Sequence, residues 1–412
     1  MSDTGNDGGS DIRDLLIIGG GLTGMTLALA AASRGFTSHV IDRARPEDLT
    51  AEGFDGRATA ISTASWNLFS KIGLTDILEP LGSPIDTIAV TDQMKPGRID
   101  FQPEPHENSL GRMFANRTLR VTLFDAARAE DRIAWHSGAE VASRERGDFG
   151  CSVTLTDGQE LKGHLMVGAE GRGSPTREDA GISVAKWQYD HRAIIAGLTH
   201  EKSHENVAWE IFYSDGPFAL LPLLDDEYGN HRSALVWTVD ERDAAGMLAL
   251  GDRAFLAEAE EQMGGVLGAL THVGARSSYP LGFHHTARIT GHRLALIGDS
   301  AHGIHPIAGQ GLNLGLRDVG ALVEVLEDGR LLGLEPGDAQ LLERYEKWRG
   351  LDAFTVALAT DGLTRMFGVP GKAASAIRRF GMAGIQRAPA LKSWFMDEAR
   401  GVTGERPSLL KA

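Results

Sequence analysis

Residues 15–33 read LLIIGGGLTGMTLALAAAS, and this stretch decides the fold. Four apolar residues run into Gly19, Gly21 and Gly24, a G-x-G-x-x-G turn, and small apolar residues from Met25 onward carry a helical pattern. Strand, tight turn and helix in that order leave the first N–H groups of the helix free to meet a pyrophosphate, and the glycines let the backbone come close. Gly35 suits the helix end, and residues 38–41 read as a second strand. That strand ends at Asp42, where an acid reaches ribose hydroxyls, with Arg43 beside it. All the parts arrive in order, so the chain opens as a dinucleotide-binding unit of Rossmann type.

The same stretch carries no charge and is long enough to span a bilayer. Its glycines interrupt it, and the acidic segment ahead of it lacks a positive n-region, so the expectation is a cytoplasmic chain. The 412 residues, 42% hydrophobic and 24% charged, suffice for a large core in two domains. A formal charge of -15 argues against nucleic acid as a partner, because phosphate binding needs a basic surface. The single cysteine, Cys151, excludes dithiol redox chemistry.

Further along, residues 165–167 form a short strand entering Gly168, Ala169, Glu170 and Gly171. Residues 294–297 form another, entering GDSAHGIHPIAGQGLN at 298–313. There Asp299 suits a cap beside Ser300, and Pro306 stiffens the loop. The backbone N–H groups of Gly309, Gly311, Leu312 and Asn313 precede or open a helix and suit developing negative charge. His302 and His305 lack a third ligand at usable spacing, so no metal is expected and both read as braces of the loop. His284 and His285 read as surface or turn residues.

Residues 194–197, 207–212, 219–223 and 234–239 alternate as strands of a separate, half-buried sheet, with more strands between about 85 and 101. Trp209, Phe212, Tyr213, Phe218 and Trp237 on it are candidates to face a substrate ring, although aromatic residues at strand spacing are more often core. The expected fold class is α/β: a Rossmann-like domain interleaved with a β-sheet substrate domain, plus C-terminal helices. Residues 11–84, 111–185 and 281–335 fall to the first domain, 85–110 and 186–280 to the second, and 336–412 to the helical region.

In chain order, Gly19 to Gly24, then Gly168 to Gly171 with Arg177, then Gly298 and Asp299 with Pro306, Gly309, Gly311 and Asn313 resemble three fingerprints of the class A flavoprotein aromatic hydroxylases, which share the para-hydroxybenzoate hydroxylase fold. RATAIS (57–62), Asn116 with Arg117, TDGLTRMF (360–367) and APALKSWFM (388–396) are similar to the ubiquinone-biosynthesis members of that family. One departure is Glu170, where the family usually has Asp.

The resemblance implies an FAD-dependent monooxygenase. NADH or NADPH would reduce FAD, O2 would add as a flavin C4a-hydroperoxide, and this would attack the ring of a polyprenylated phenol on the way to ubiquinone. It also implies that Asp299 takes a ribityl hydroxyl, that Arg57 and Arg117 lie on the cofactor, and that the nicotinamide docks near Arg177. With Gly19, Gly21, Gly24, Asp42, Arg43, Glu170, Gly298, Pro306, Gly309, Gly311, Leu312 and Asn313, these are the expected cofactor contacts. No catalytic acid or base is assigned.

Two other functions fit the same fingerprints: a soluble hydroxylase or epoxidase of small aromatic compounds, and a non-catalytic flavin-binding assembly partner. The tail bears on the choice. Residues 362–396 carry Arg365, Lys372, Arg378, Arg379, Arg387 and Lys392 with no acid, and add several aromatics. Such a segment suits the inner membrane face or a ubiquinone-biosynthesis complex, and alternatively a helical cap on the acidic body of the protein.

Overall fold

The uncharged run that opens the chain becomes a strand and helix buried on nearly every side. In the computed structural model, which describes residues 12–51, 56–103, 109–213, 216–303, 310–350, 352, 393, 396–397 and 400–412, this run is β1 (Ile12–Ile18) followed by α1 (Leu22–Ser33). β2 (Ser38–Asp42) and α2 (Pro46–Thr50) follow, then β3 (Ala58–Ser62), α3 (Thr63–Lys71), α4 (Thr75–Leu78), β4 (Ser83–Ile85), β5 (Thr87–Asp92) and β6 (Ile99–Phe101). The chain then runs through β7 (Gly111–Ala115), α5 (Asn116–Ala129), β8 (Ile133–Ser137), β9 (Val141–Gly147), β10 (Gly150–Leu155), β11 (Glu160–Gly168) and α6 (Pro175–Asp179). Next come β12 (Val184–His200), β13 (Val207–Tyr213), β14 (Gly216–Leu223), β15 (His231–Asp240), α7 (Glu241–Ala249), α8 (Asp252–Met263), β16 (Leu270–Val273) and β17 (Ser277–Thr286). β18 (Thr290–Gly291), β19 (Leu294–Leu296), β20 (His302–Gly303) and α9 (Gln310–Leu331) follow, then a helix over 339–350.

The first sheet has the order β18-β19-β11-β1-β2-β8, parallel from β19 to β8, with the β9–β10 hairpin beyond β11. Leu15, Leu16 and Ile17 are fully buried, as a central parallel strand covered on both faces requires. Burying each such side chain contributes about 2 kcal/mol. Cys151 on β10 is buried too, its Sγ 3.2 Å from Gly163 O, and burial pushes its thiol up to about 12 despite Arg293 and Arg146 nearby.

The second sheet has the order β20-β17-β12-β15-β14-β13-β5-β6, with β16 also on β12. α7 and α8 cover one face, where Ile194, Ile211, Phe218, Leu235 and Trp237 pack with Phe255, Ala259 and Met263. Trp209 and Tyr213 join that cluster, so four of the five aromatics considered as ring-facing candidates turn away from the nucleotide-binding part. The opposite face meets that part, where Ala208, Leu223 and Ala234 pack on Ile85 and Met113.

The structure draws the segments differently from the sequence in two places. β4 pairs with β7 in a small third sheet, β3-β7-β4, rather than with the second sheet. β17 continues to Thr286 in the second sheet and pairs there with β20, so part of 281–335 belongs to both layers. Long-range pairing, which leaves no local trace, sets both limits. Of the basic tail stretch at 362–396, all but Ser393 and Met396 lies outside the described residues, and Met396 is buried beside Ile85 and Ala208. Among the described residues no helix is long and apolar enough to cross a membrane.

Candidate active site

Gly19 has φ +106° and its N–H donates to Ile41 O at 2.9 Å. A Cβ there would lie 2.4 Å from Ala169 O, and one at Gly24 would lie 1.9 Å from Gly19 O, so both positions exclude a side chain. Gly20 is closed as well, because a Cβ would come within 2.5 Å of the Trp135 ring, a constraint the G-x-G-x-x-G pattern does not announce. Gly21 differs. It caps α1 without a side-chain hydrogen bond, and its missing Cβ points into open space. An uncapped helix N-terminus beside open space fits the pyrophosphate of FAD.

Asp42 at the end of β2 accepts hydrogen bonds from Gly20 N and, at 2.7 Å, Ala44 N. Its carboxylate shapes the turn, and each oxygen keeps a lone pair for a ribose hydroxyl. Arg43 next to it is exposed.

The 298–303 loop meets the central fingerprint through Ser300. Gly171 N donates to Ser300 Oγ at 3.0 Å, and Arg177 Nη1 donates to Ser300 O at 3.1 Å. Arg177 also donates to Arg172 O at 2.8 Å and is only 4% exposed. A nicotinamide would have to displace these bonds to reach it, so the geometry makes Arg177 a brace between two fingerprints. Glu170 is likewise occupied: Ser174 Oγ donates to it at 2.5 Å, Thr176 N at 3.3 Å, and Arg144 pairs with it at 3.3 Å. The extra methylene carries its carboxylate into the cap of α6.

Asp299 itself is half-exposed, with Oδ2 3.3 Å from Arg172 Nε. His284 Nε2 donates to Asp299 O at 2.7 Å, and burial lowers the His284 pKa. This corrects the expectation of a surface or turn histidine: His284 is buried and orients the Asp299 peptide.

Beneath the loop lies a buried charge network that no motif signals. Gly298 N donates to Asp318 Oδ2 at 2.9 Å, His302 Nε2 lies 2.8 Å from the same oxygen, and Arg349 Nε lies 2.7 Å from Oδ1. Arg349 and, at 3.1 Å, Arg317 then meet Asp352. Burial opposes the charge on Asp318, but His302 and Arg349 outweigh it and hold the carboxyl below the usual range. Only the adjacent Arg317 and Asp318, set between apolar stretches in the first half of α9, could have hinted at this.

The 57–62 segment joins the site through Asn313. Ser62 N donates to Asn313 Oδ1 at 3.0 Å and Asn313 Nδ2 donates to Ala60 O at 2.8 Å. Asn116 N donates to Arg57 O at 3.0 Å, and Arg117 Nε donates to Ala51 O at 2.7 Å, so Arg57, just before β3, adjoins the first turn of α5 that carries Arg117. Arg57 is exposed and Arg117 half-buried. Gly311 and Leu312 open α9, whereas Pro306, Gly309 and His305 lie outside the described residues.

The FAD binding domain family matches residues 13–356. The chain is 40% identical over 390 residues to the ubiquinone hydroxylase UbiL of Rhodospirillum rubrum, covering 95% of this chain and 90% of that one. It is 30% identical over 391 residues to the 3-demethoxyubiquinol 3-hydroxylase of Escherichia coli, covering 94% and 98%. The solved p-nitrophenol 4-monooxygenase PnpA of Pseudomonas putida shares the fold, with a TM-score of 0.78 over 96% of this chain and 99% of that one at 16% identity. The chain therefore belongs to the FAD binding domain family and, within it, to the ubiquinone hydroxylases, FAD-dependent monooxygenases.

Proposed function

We propose that this enzyme hydroxylates the aromatic ring of a polyprenylated phenol in ubiquinone biosynthesis. The observation that carries the reading is 40% identity to a ubiquinone hydroxylase along 95% of the chain. When bound, FAD supplies hydride acceptance from NADH or NADPH and the activation of O2. The residues do the rest. The turn at Gly19, Gly21 and Gly24 receives the pyrophosphate, Asp42 with Arg43 the adenosine end, and Asp299 a ribityl hydroxyl by a charge-assisted hydrogen bond. Gly298, Pro306, Gly309, Gly311, Leu312 and Asn313, together with Arg57 and Arg117, would hold the flavin end of the cofactor.

The largely apolar face of the second sheet opposite α7 and α8 suits an apolar ring and tail, and shields the reaction from water. The tail stretch with Arg378 and Arg379 serves as the contact to the inner membrane face or to partner enzymes, where a long-tailed substrate resides.

Quinone profiling by mass spectrometry in a strain lacking the gene tests this reading. An under-hydroxylated prenylphenol should accumulate and disappear when the intact gene, but not Asp299→Ala, is restored. Normal quinone levels in the deletion strain would refute it and favour a small aromatic substrate.

A further inference from the structure

On the face of the second sheet turned toward the nucleotide-binding part, one transverse row crosses five strands. It runs Ile195, Val236, Ala219, Glu210 and Val90 across β12, β15, β14, β13 and β5. Four of the five are apolar. Ile195 packs 3.6 Å from the Cβ position of Gly56, next to Arg57, so the row begins beside an expected FAD contact. At about 4.8 Å per strand, Glu210 stands about 14 Å from Ile195, a span that a phenol ring and a glutamate side chain fill between them.

Among the described residues no hydrogen bond or ion pair holds the Glu210 carboxylate, although the residue is only partly accessible. An unpaired carboxylate on an apolar wall costs stability, and such placements are typical of proton-transfer sites. We infer that Glu210 is the catalytic base of the hydroxylation, taking the proton of the substrate's ring hydroxyl as the ring carbon is oxygenated. The phenol O–H bond breaks and its electron pair stays on the ring oxygen, which activates the ortho and para carbons. Glu210 becomes a neutral acid and returns the proton to water once product leaves.

Burial alone pushes the Glu210 carboxyl up to about 7, close to the pH at which a base works best. Other ionisable groups share its face: Asp92 on β5, Arg232 and Asp240 on β15, His191 on β12, Tyr279 on β17, and Arg57 across from them. None adds a charge effect at Glu210.

This inference rests on the phenolic substrate proposed above, and the experiment separates the two. The FAD-loaded enzyme is given 2-geranylphenol as probe with NADH or NADPH, and hydroxylated product is measured between about pH 5.5 and 9. Glu210→Gln should lower product formation about 100-fold and abolish the rise through a pH near 7. Anaerobic reduction of the bound FAD should be unchanged, and Glu210→Asp should keep the pH step at a reduced rate. Equal rates and pH profiles for wild type and Glu210→Gln would overturn the role of Glu210 alone. Loss of FAD from Glu210→Gln would overturn it in favour of a structural role. A wild-type enzyme that is reduced normally but leaves the phenol untouched would overturn the substrate reading, and this inference with it.

Discussion

Glu210 and Asp318 are both carboxylates removed from water, and their neighbours drive them in opposite directions. Asp318 has His302, Arg349 and the Gly298 N–H, so its charge is held. Replacing it by Asn takes from buried Arg349 its carboxylate partner at Nε and leaves Asp352 alone to balance it, which should destabilise the protein by about 3–5 kcal/mol. Thermal melting and FAD content of Asp318→Asn check this, and both should fall because Gly298 begins the flavin loop. Glu210 shows the reverse. Its folded pKa, about 7, lies above the ordinary glutamate value of 4.5, so from pH 4.5 upward the unfolded chain ionises first and the folded state loses stability until about 7. The loss totals about 3 kcal/mol. Glu210→Gln should therefore match wild type in denaturant midpoint near pH 4.5 and exceed it at pH 8.

Elements differ in how far the chain announces them. α1, β1 and β2 were legible because the turn, the apolar run and the terminal acid are all local. β13, β14 and β15 were legible from alternation. The 17-residue length of β12, with its register shift between Gln188 and Arg192, was not, because it is fixed by β15 on one side and β17 on the other. The same limit hid the join between α9 and β3. Asn313 was legible as part of a fingerprint, but its side chain spends both ends on the backbone of β3, a pairing 251 residues distant in the case of Ser62. Asn313→Ala would strand the Ser62 N–H and the Ala60 carbonyl, at about 1–3 kcal/mol for each buried group left unpaired. Its unfolding midpoint should drop accordingly, and FAD should dissociate faster, since β3 follows Arg57 directly.

Across the whole molecule, the second sheet meets the small third sheet at one apolar face, and the network under the 298–303 loop ends at Arg349 and Asp352 in the C-terminal region. The fingerprints marked the expected cofactor contacts, whereas the proposed substrate wall left no such mark, because Glu210 becomes distinctive only when β5 and β14 flank it. If the tail docks on lipid, Arg378→Glu with Arg379→Glu should reduce sedimentation with anionic liposomes and leave neutral ones unaffected; equal sedimentation would remove the membrane from the proposal. Cys151 carries a different consequence. An oxygen-activating flavoenzyme that turns over without substrate sheds hydrogen peroxide onto itself, and peroxide attacks thiolates rather than thiols. With its thiol buried and pushed up to about 12, the lone cysteine offers almost no thiolate at neutral pH. The intact mass of the folded enzyme should show no sulfenic or sulfinic product at Cys151 after prolonged uncoupled turnover, so self-inflicted oxidation would have to begin at methionine instead.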